Sequence, residues 1–217
     1  MDESPLLAKV WGPWACFTRP EMKVERVSYP VMTPSAARGV LEAIFWKPEV
    51  TWVVEQIQVL NDVRHFSILR NEVNSRASDR SAAAWMRASH GGYDATGDRT
   101  QRHTLALRDV AYLIQAQLTL RPDVRDNPAK FRDQFRRRVR RGQCFSQPYL
   151  GCREFAAAFA EPDGSERPIT RTEDLGLMLL DLDYAPGRSG TGTPRFFEAR
   201  LEDGILRVPN RLGAEVT

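Results

Sequence analysis

The sequence predicts an α+β protein in which two helices of similar length are set among strands and a β-rich tail follows. Three observations carry that reading. β-branched or alternating runs recur along the chain. Two segments place apolar residues at helical spacing between capping residues. Pro/Gly turns punctuate the last third at short intervals. With 217 residues, 42% apolar and 27% charged, the chain has room for one large domain, or a core domain and a small appendage. That composition excludes a mainly disordered chain and a collagen-like one. No stretch approaches the roughly 20 apolar residues of a membrane-spanning helix.

The elements follow in order. The aromatic run Val10 to Phe17 reads as a strand kinked at Gly12-Pro13. Thr33-Pro34 reads as an N-cap with proline at the first helical position. Ala37, Val40, Leu41, Ile44 and Phe45 then repeat at helical spacing up to the stop at Pro48. Thr51 to Leu60 and Val63 to Val73 read as strands joined at Asn61-Asp62. Residues 74–100 are polar and glycine-containing. They read as a long loop with one helical turn around Ala82 to Met86. Thr104 to Leu120 resumes a strand, with Ala111, Leu113, Gln115, Gln117 and Thr119 on one face.

Asp126-Asn127-Pro128 opens a second helix. Phe131, Phe135 and Val139 form its apolar stripe and Gly142 ends it. Cys152 to Ala160, Leu175 to Tyr184 and Arg195 to Val208 read as short strands, the last folded at Glu202-Asp203-Gly204. This order is compatible with a ferredoxin-like (RRM-like, βαββαβ) core over residues 1–144 and a small antiparallel β-sheet domain over 145–217.

Asp2, Glu3 and early prolines and glycine read as the absence of a secretory signal. Three cysteines do not make a disulfide framework. A cytoplasmic protein with reduced thiols is the expectation.

Charge is more informative. Of 31 basic residues only Lys9, Lys23, Lys47 and Lys130 are lysine, so 27 are arginine. Arg121 to Arg153 holds ten basic residues against Asp123, Asp126 and Asp133. A local patch on a near-neutral chain points to a polyanion. Arg132, Arg136, Arg137, Arg140 and Arg141 line one helix whose apolar stripe docks it, so these arginines project as a fixed array for nucleic acid. A solvated helix face is the plainer reading.

Arg102-His103 stands where the long loop meets a strand. A histidine moves protons near neutral pH, and an adjacent guanidinium can hold a phosphate and its developing charge. Cleavage of RNA by its own 2′-hydroxyl needs those two services and no metal. Of the other histidines, His65 in an apolar strand reads as packed, and His90 beside Gly91-Gly92 reads as able to reach a substrate. Asp181 and Asp183 share a strand face, so a divalent cation is conceivable, but a strand edge near a turn explains them as well. Cys144 and Cys152 lack zinc spacing. Among the aromatic residues, Trp46 beside Lys47 at a helix end is the best candidate for base stacking. No metal and no cofactor is expected.

Four strings then resemble a known family: SAARGVLEAIFWKP (35–48), RNEV (70–73), LRDVAY (107–112) and GQCFSQPYLGCREF (142–155). Together they are similar to the CRISPR-associated Cas-five protein of type I-C systems (the Dvulg subtype), from about residue 10 to 184. The resemblance implies the repeat-associated (RAMP) superfamily fold, a ferredoxin-like domain followed by a small β-sheet domain. It implies a metal-independent endoribonuclease that cuts the repeat RNA of precursor transcripts, leaving 5′-hydroxyl and 2′,3′-cyclic phosphate ends. The protein would then hold the 5′ handle of the guide RNA beside the backbone and large subunits of a surveillance complex. Some members are associated with double-stranded DNA.

By position, the family's Lys-His pair falls on Arg102-His103, and its tyrosine falls on Phe45 or Trp46. His103 would then serve as acid or base, with Arg102 stabilising the phosphorane. Arg38, Trp46, Lys47, Arg108 and the helix arginines would bind nucleic acid. Neither Phe45 nor Trp46 has a phenolic proton; a tyrosine from elsewhere, such as Tyr29, could substitute. A non-catalytic scaffold that binds RNA or duplex DNA is the alternative.

Overall fold

Alternating side chains from Leu6 to Ala15 make the first strand, β1 (Leu6–Ala15), with Leu6, Ala8 and Val10 buried and Leu7 and Trp11 facing out. The computed structural model describes residues 4–76, 78–183 and 192–209. The remaining strands are β2 (Arg26–Val27), β3 (Val50–Val59), β4 (His65–Val73), β5 (Arg99–Leu120), β6 (Ala158–Ala160), β7 (Glu173–Asp183), β8 (Thr193–Glu202) and β9 (Ile205–Arg207). The helices are α1 (Pro34–Ile44), α2 (Asp79–Ala88) and α3 (Pro128–Arg141). Tyr184, read above as the end of a strand, lies outside the described residues.

β5 organises the sheet. Its C-terminal half is flanked by β1 and β3, both antiparallel, and β6 adds to the outer side of β1. Its N-terminal half extends past them as a ribbon with β4 from His65–Leu107 to Val73–Arg99, and short β2 runs parallel beside Thr104 and Leu105. The β7–β8 hairpin joins through β9, which pairs with β3. The sheet order is therefore β6-β1-β5-β3-β9-β8-β7.

The core lies between this sheet and helices α1 and α3. Tyr112, Ile114, Ala116 and Leu118 are buried beside Val10, Ala8 and Leu6 on one side and Val59, Ile57, Val54 and Trp52 on the other. Both predicted helices form as the sequence dictates. Thr33 Oγ1 accepts from the Ala36 N–H and Asn127 Oδ1 from the Ala129 N–H, each with proline at the first turn. Phe135 of α3 meets Trp52 edge-on at 4.7 Å. Gly142 takes the left-handed conformation (φ +62°) that closes α3. α1 ends at Ile44, ahead of Pro48, because Phe45 leaves helical geometry.

Several expectations change. β1 begins four residues earlier than predicted and is not broken at Gly12-Pro13, since its register on β5 is the same on both sides. Pro13 is tolerated there because it lies past the end of β6 and opposite Asp109, which the ladder skips. The 74–100 segment is not mainly loop. Ser78 caps the ten-residue α2, none of whose residues is buried, and β5 starts at Arg99. Polarity hid this helix, because nothing packs on it to require an apolar stripe. His65 is exposed rather than packed. Of the strand read from Cys152 to Ala160, only Ala158–Ala160 forms. The residues before it make a tight turn, in which a Cβ on Gly151 (φ +85°) would lie 2.1 Å from the Cys16 carbonyl oxygen.

No helix among the described residues is long and apolar enough to cross a membrane.

Candidate functional site

Strand alternation decides the geometry around His103. Arg102 and His103 are neighbours on β5, so they stand on opposite faces of the β4–β5 ribbon. His103 is on the exposed face, where its Nδ1 lies 3.5 Å from Ser67 Oγ and its backbone N–H donates to Glu25 at 2.8 Å. The residue is exposed, with Ser67 beside its Nδ1.

Arg102 faces the other way. It donates to Asn74 Oδ1 at 3.1 Å and lies 3.7 Å from Glu72. Glu72 also pairs with Arg70 at 2.9 Å and with Arg26 at 3.3 Å. Arg70 in turn bonds Glu154. This network joins two of the sequence strings, RNEV and GQCFSQPYLGCREF, across the fold. Its charges hold the turn at 149–156 against the ribbon. The structure therefore does not bring Arg102 to the atom that His103 would serve.

Beneath the network, Arg26 Nη1 approaches Cys152 Sγ at 3.5 Å. The Cys16 thiol is lowered to about 6 by its hydrogen bond with Cys152, against the opposing effect of burial, with Thr18, Arg26 and Arg70 assisting. All three cysteines are free.

The tyrosine position is also remote. Phe45 is buried, and Trp46-Lys47 sits just before β3, whose Val50 pairs with Leu120 at the far end of β5 from His103. Tyr29 cannot stand in. It is buried under Arg19, whose guanidinium lies 4.5 Å from the ring centroid, and the Leu179 backbone hydrogen-bonds its hydroxyl.

The predicted basic residues divide sharply. Arg132 is only 6% exposed and donates to Gln117 Oε1 and to the Ser4 carbonyl, so it faces the sheet. That corrects its expected role on the nucleic-acid face. Arg136 pairs with Asp133 at 3.5 Å and Arg140 with Glu161 at 3.3 Å. Arg138 donates to the Ile44 carbonyl and tethers α1. Arg38 reaches β7, where it meets Asp181 at 2.6 Å, and also pairs with Glu42. Asp183 takes Arg195. The two aspartates thus have arginine partners, and no group of three or more metal-ligating side chains converges among the described residues. Arg137, Arg141, Arg108 and Lys47 are exposed, with no side-chain ion pair among the described residues. Charges in the last turn of α3 also complement its dipole.

Two features escaped sequence reasoning. Phe145 stacks on Trp46 at 5.7 Å. A cavity of about 410 Å³ opens between α1 and β7, lined in part by Thr18, Thr33, Ser35, Arg38 and Tyr149. Neither has a sequence signal, because each joins segments more than 90 residues apart.

The family model described as CRISPR-associated protein (Cas_Cas5) matches residues 5–209. The CRISPR pre-crRNA endoribonuclease Cas5d of Thermus thermophilus is 46% identical over 94% of this chain and 91% of that protein. The protein of the same name from Mannheimia succiniciproducens is 44% identical over 95% and 96%. A solved structure titled "Crystal Structure of CRISPR-associated Protein" superposes with a TM-score of 0.69 at 22% identity, over 97% of this chain and 94% of that one. The last likeness is one of fold.

Proposed function

The chain belongs to the Cas5d family of CRISPR-associated proteins, and on that premise we propose that it is a pre-crRNA endoribonuclease of CRISPR defence. The near-full-length identity to two endoribonucleases carries the proposal. The order β6-β1-β5-β3, with α1 and α3 as crossovers, supports a ferredoxin-like core. The β7–β9 strands support a smaller β-rich unit after it, while β6 (Ala158–Ala160) pairs with β1 and belongs to the core, so the boundary expected at residue 145 falls inside that core.

In the reaction, the 2′-hydroxyl attacks the adjacent phosphorus. The 2′-O–P bond forms, the P–O5′ bond breaks, and the proton leaves the 2′-oxygen as another reaches the 5′-oxygen. The products are a 2′,3′-cyclic phosphate and a 5′-hydroxyl. His103 Nε2 moves one of those protons, and Ser67 beside Nδ1 supports that assignment. Arg102 contributes by holding β4 to β5, not at the phosphate. Arg137, Arg141, Arg108 and Lys47 bind the RNA backbone. The product then stays bound by its 5′ handle, in the cytoplasm, next to the backbone and large subunits of a surveillance complex.

The scaffold reading has one observation in its favour: Phe45 and Trp46 have no hydroxyl and Tyr29 is buried. Repeat hairpin RNA incubated with the protein in excess EDTA separates the two. Cleavage that a single 2′-deoxy substitution blocks supports the enzyme. Tight binding without cleavage supports an RNA- or duplex-DNA-binding scaffold.

A further inference from the structure

The junction of α1 and α3 carries an aromatic surface that the fold does not use. Trp46 is 49% exposed and Phe145 is 63% exposed. Their rings pack at 5.7 Å between centroids and 31° between planes, so each covers part of the other and leaves an outer face in water.

The backbone beneath them is tied down. The Phe145 N–H donates to the Ala43 carbonyl at 2.8 Å, and the Ser146 N–H shares that acceptor at 3.0 Å. Arg138 Nη1 donates to the Ile44 carbonyl at 2.9 Å. Trp52 Nε1 donates to the Phe45 carbonyl at 3.1 Å. The final carbonyls of α1 are thus satisfied by side chains and backbone from elsewhere in the chain. The two rings sit on a fixed base rather than a fraying helix end.

Basic residues flank the pair along the chain: Lys47 follows Trp46 directly, Arg141 ends α3 four residues before Phe145, and Arg121 Nη1 reaches the Pro48 carbonyl at 3.4 Å. Glu49 and Asp123 are the nearby acids, and Asp123 is paired with Arg121. Exposed ring faces flanked by Lys47 and Arg141, which have no ion pair among the described residues, fit a nucleobase with its phosphate.

We propose that Trp46 and Phe145 form a two-ring stacking platform for one unpaired base of the bound RNA. This rests on the RNA-binding reading above and adds Phe145, a position for the base and a distance from the chemistry. The platform lies at the C-terminal end of β5 and His103 near its N-terminal end. It therefore holds RNA remote from the cut.

The test uses the full chain and labelled repeat RNA. Trp46→Leu and Phe145→Leu keep apolar bulk and charge but remove the π-face. Each should weaken binding about fivefold or more, as expected for one stacked base, with the salt dependence unchanged. Abasic substitutions walked along the RNA should reveal one position whose loss weakens the wild type but not Trp46→Leu. Trp46→Phe should restore most of the affinity. If both leucine variants bind within twofold of wild type, or no abasic position loses its effect, the platform is excluded. If the wild-type protein itself binds no repeat RNA, it is the functional reading that fails.

Discussion

Arg102 and His103 are adjacent in sequence and face opposite sides of one β-ribbon, Arg102 toward Glu72 and Asn74 and His103 toward Ser67. Two residues that read as a catalytic pair are thereby divided between different tasks. His103→Ala should lower the cleavage rate about 10²–10⁴-fold, the usual loss for one positioned acid–base group, with RNA affinity within twofold. Arg102→Ala should lower the melting temperature and slow cleavage less than tenfold. Single-turnover rates beside thermal melts of both variants check this. Equal rates for His103→Ala and wild type would remove His103 from the chemistry.

The arginines of α3 should separate in the same way. Replacing exposed Arg137 and Arg141 by alanine should weaken RNA binding and flatten its dependence on salt, by about 0.7 in log–log slope per lost phosphate contact on a single strand. Arg132→Ala should leave that slope intact and destabilise the fold, since Arg132 is buried against Gln117 and Ser4. Titrations at three salt concentrations, with a urea melt for each variant, distinguish the outcomes.

Arg38 and Asp181 join α1 to β7 at 2.6 Å, with the Asp181 side chain almost entirely buried. The Leu182 N–H also donates to the same carboxylate. Asp181→Asn should cost about 1–3 kcal/mol, the range for a charge-assisted bond lost in a partly buried setting. A shift of the urea midpoint with unchanged slope would show it. No change in midpoint would mean the pair adds nothing net.

Glu166 provides a pH signature. Burial pushes its carboxyl up, but the Lys9 ammonium at 3.0 Å and the N–H groups of Asp163 and Gly164 hold it below the ordinary carboxylate value. A depressed folded pKa gives stability that is present above the unfolded pKa of about 4.3. That stability is lost as pH falls through the lower folded value. Glu166→Gln should therefore melt below wild type at pH 7. The two curves should converge as the carboxyl protonates below pH 4. A gap that persists at the acid end would assign the effect to packing.

Much of the architecture was written locally. Thr33-Pro34 and Asn127-Pro128 start the two core helices, Gly142 ends the second, and Phe131, Phe135 and Val139 mark its buried side. Caps and periodicity act within a few residues, so a sequence displays them directly. α2 shows no more than a single turn in the sequence because an exposed helix needs no apolar stripe, and only Ser78 marks its start. The four family strings, too, were visible without coordinates, and the family match over residues 5–209 agrees with them.

What a side chain faces was not legible in the same way. Six arginines of α3 look alike in sequence, yet the structure buries Arg132, ties Arg138 to α1, pairs Arg136 and Arg140, and leaves Arg137 and Arg141 in water. Phe145 meets Trp46 across 99 residues and Arg38 meets Asp181 across 143. The sequence by itself determined the two core helices, most strands and the family, because these follow from short-range propensity and runs of matched residues. Tertiary structure alone decided which cations remain free, which histidine face is open and which rings form a platform. Those properties depend on contacts between distant segments, and local composition carries no record of them.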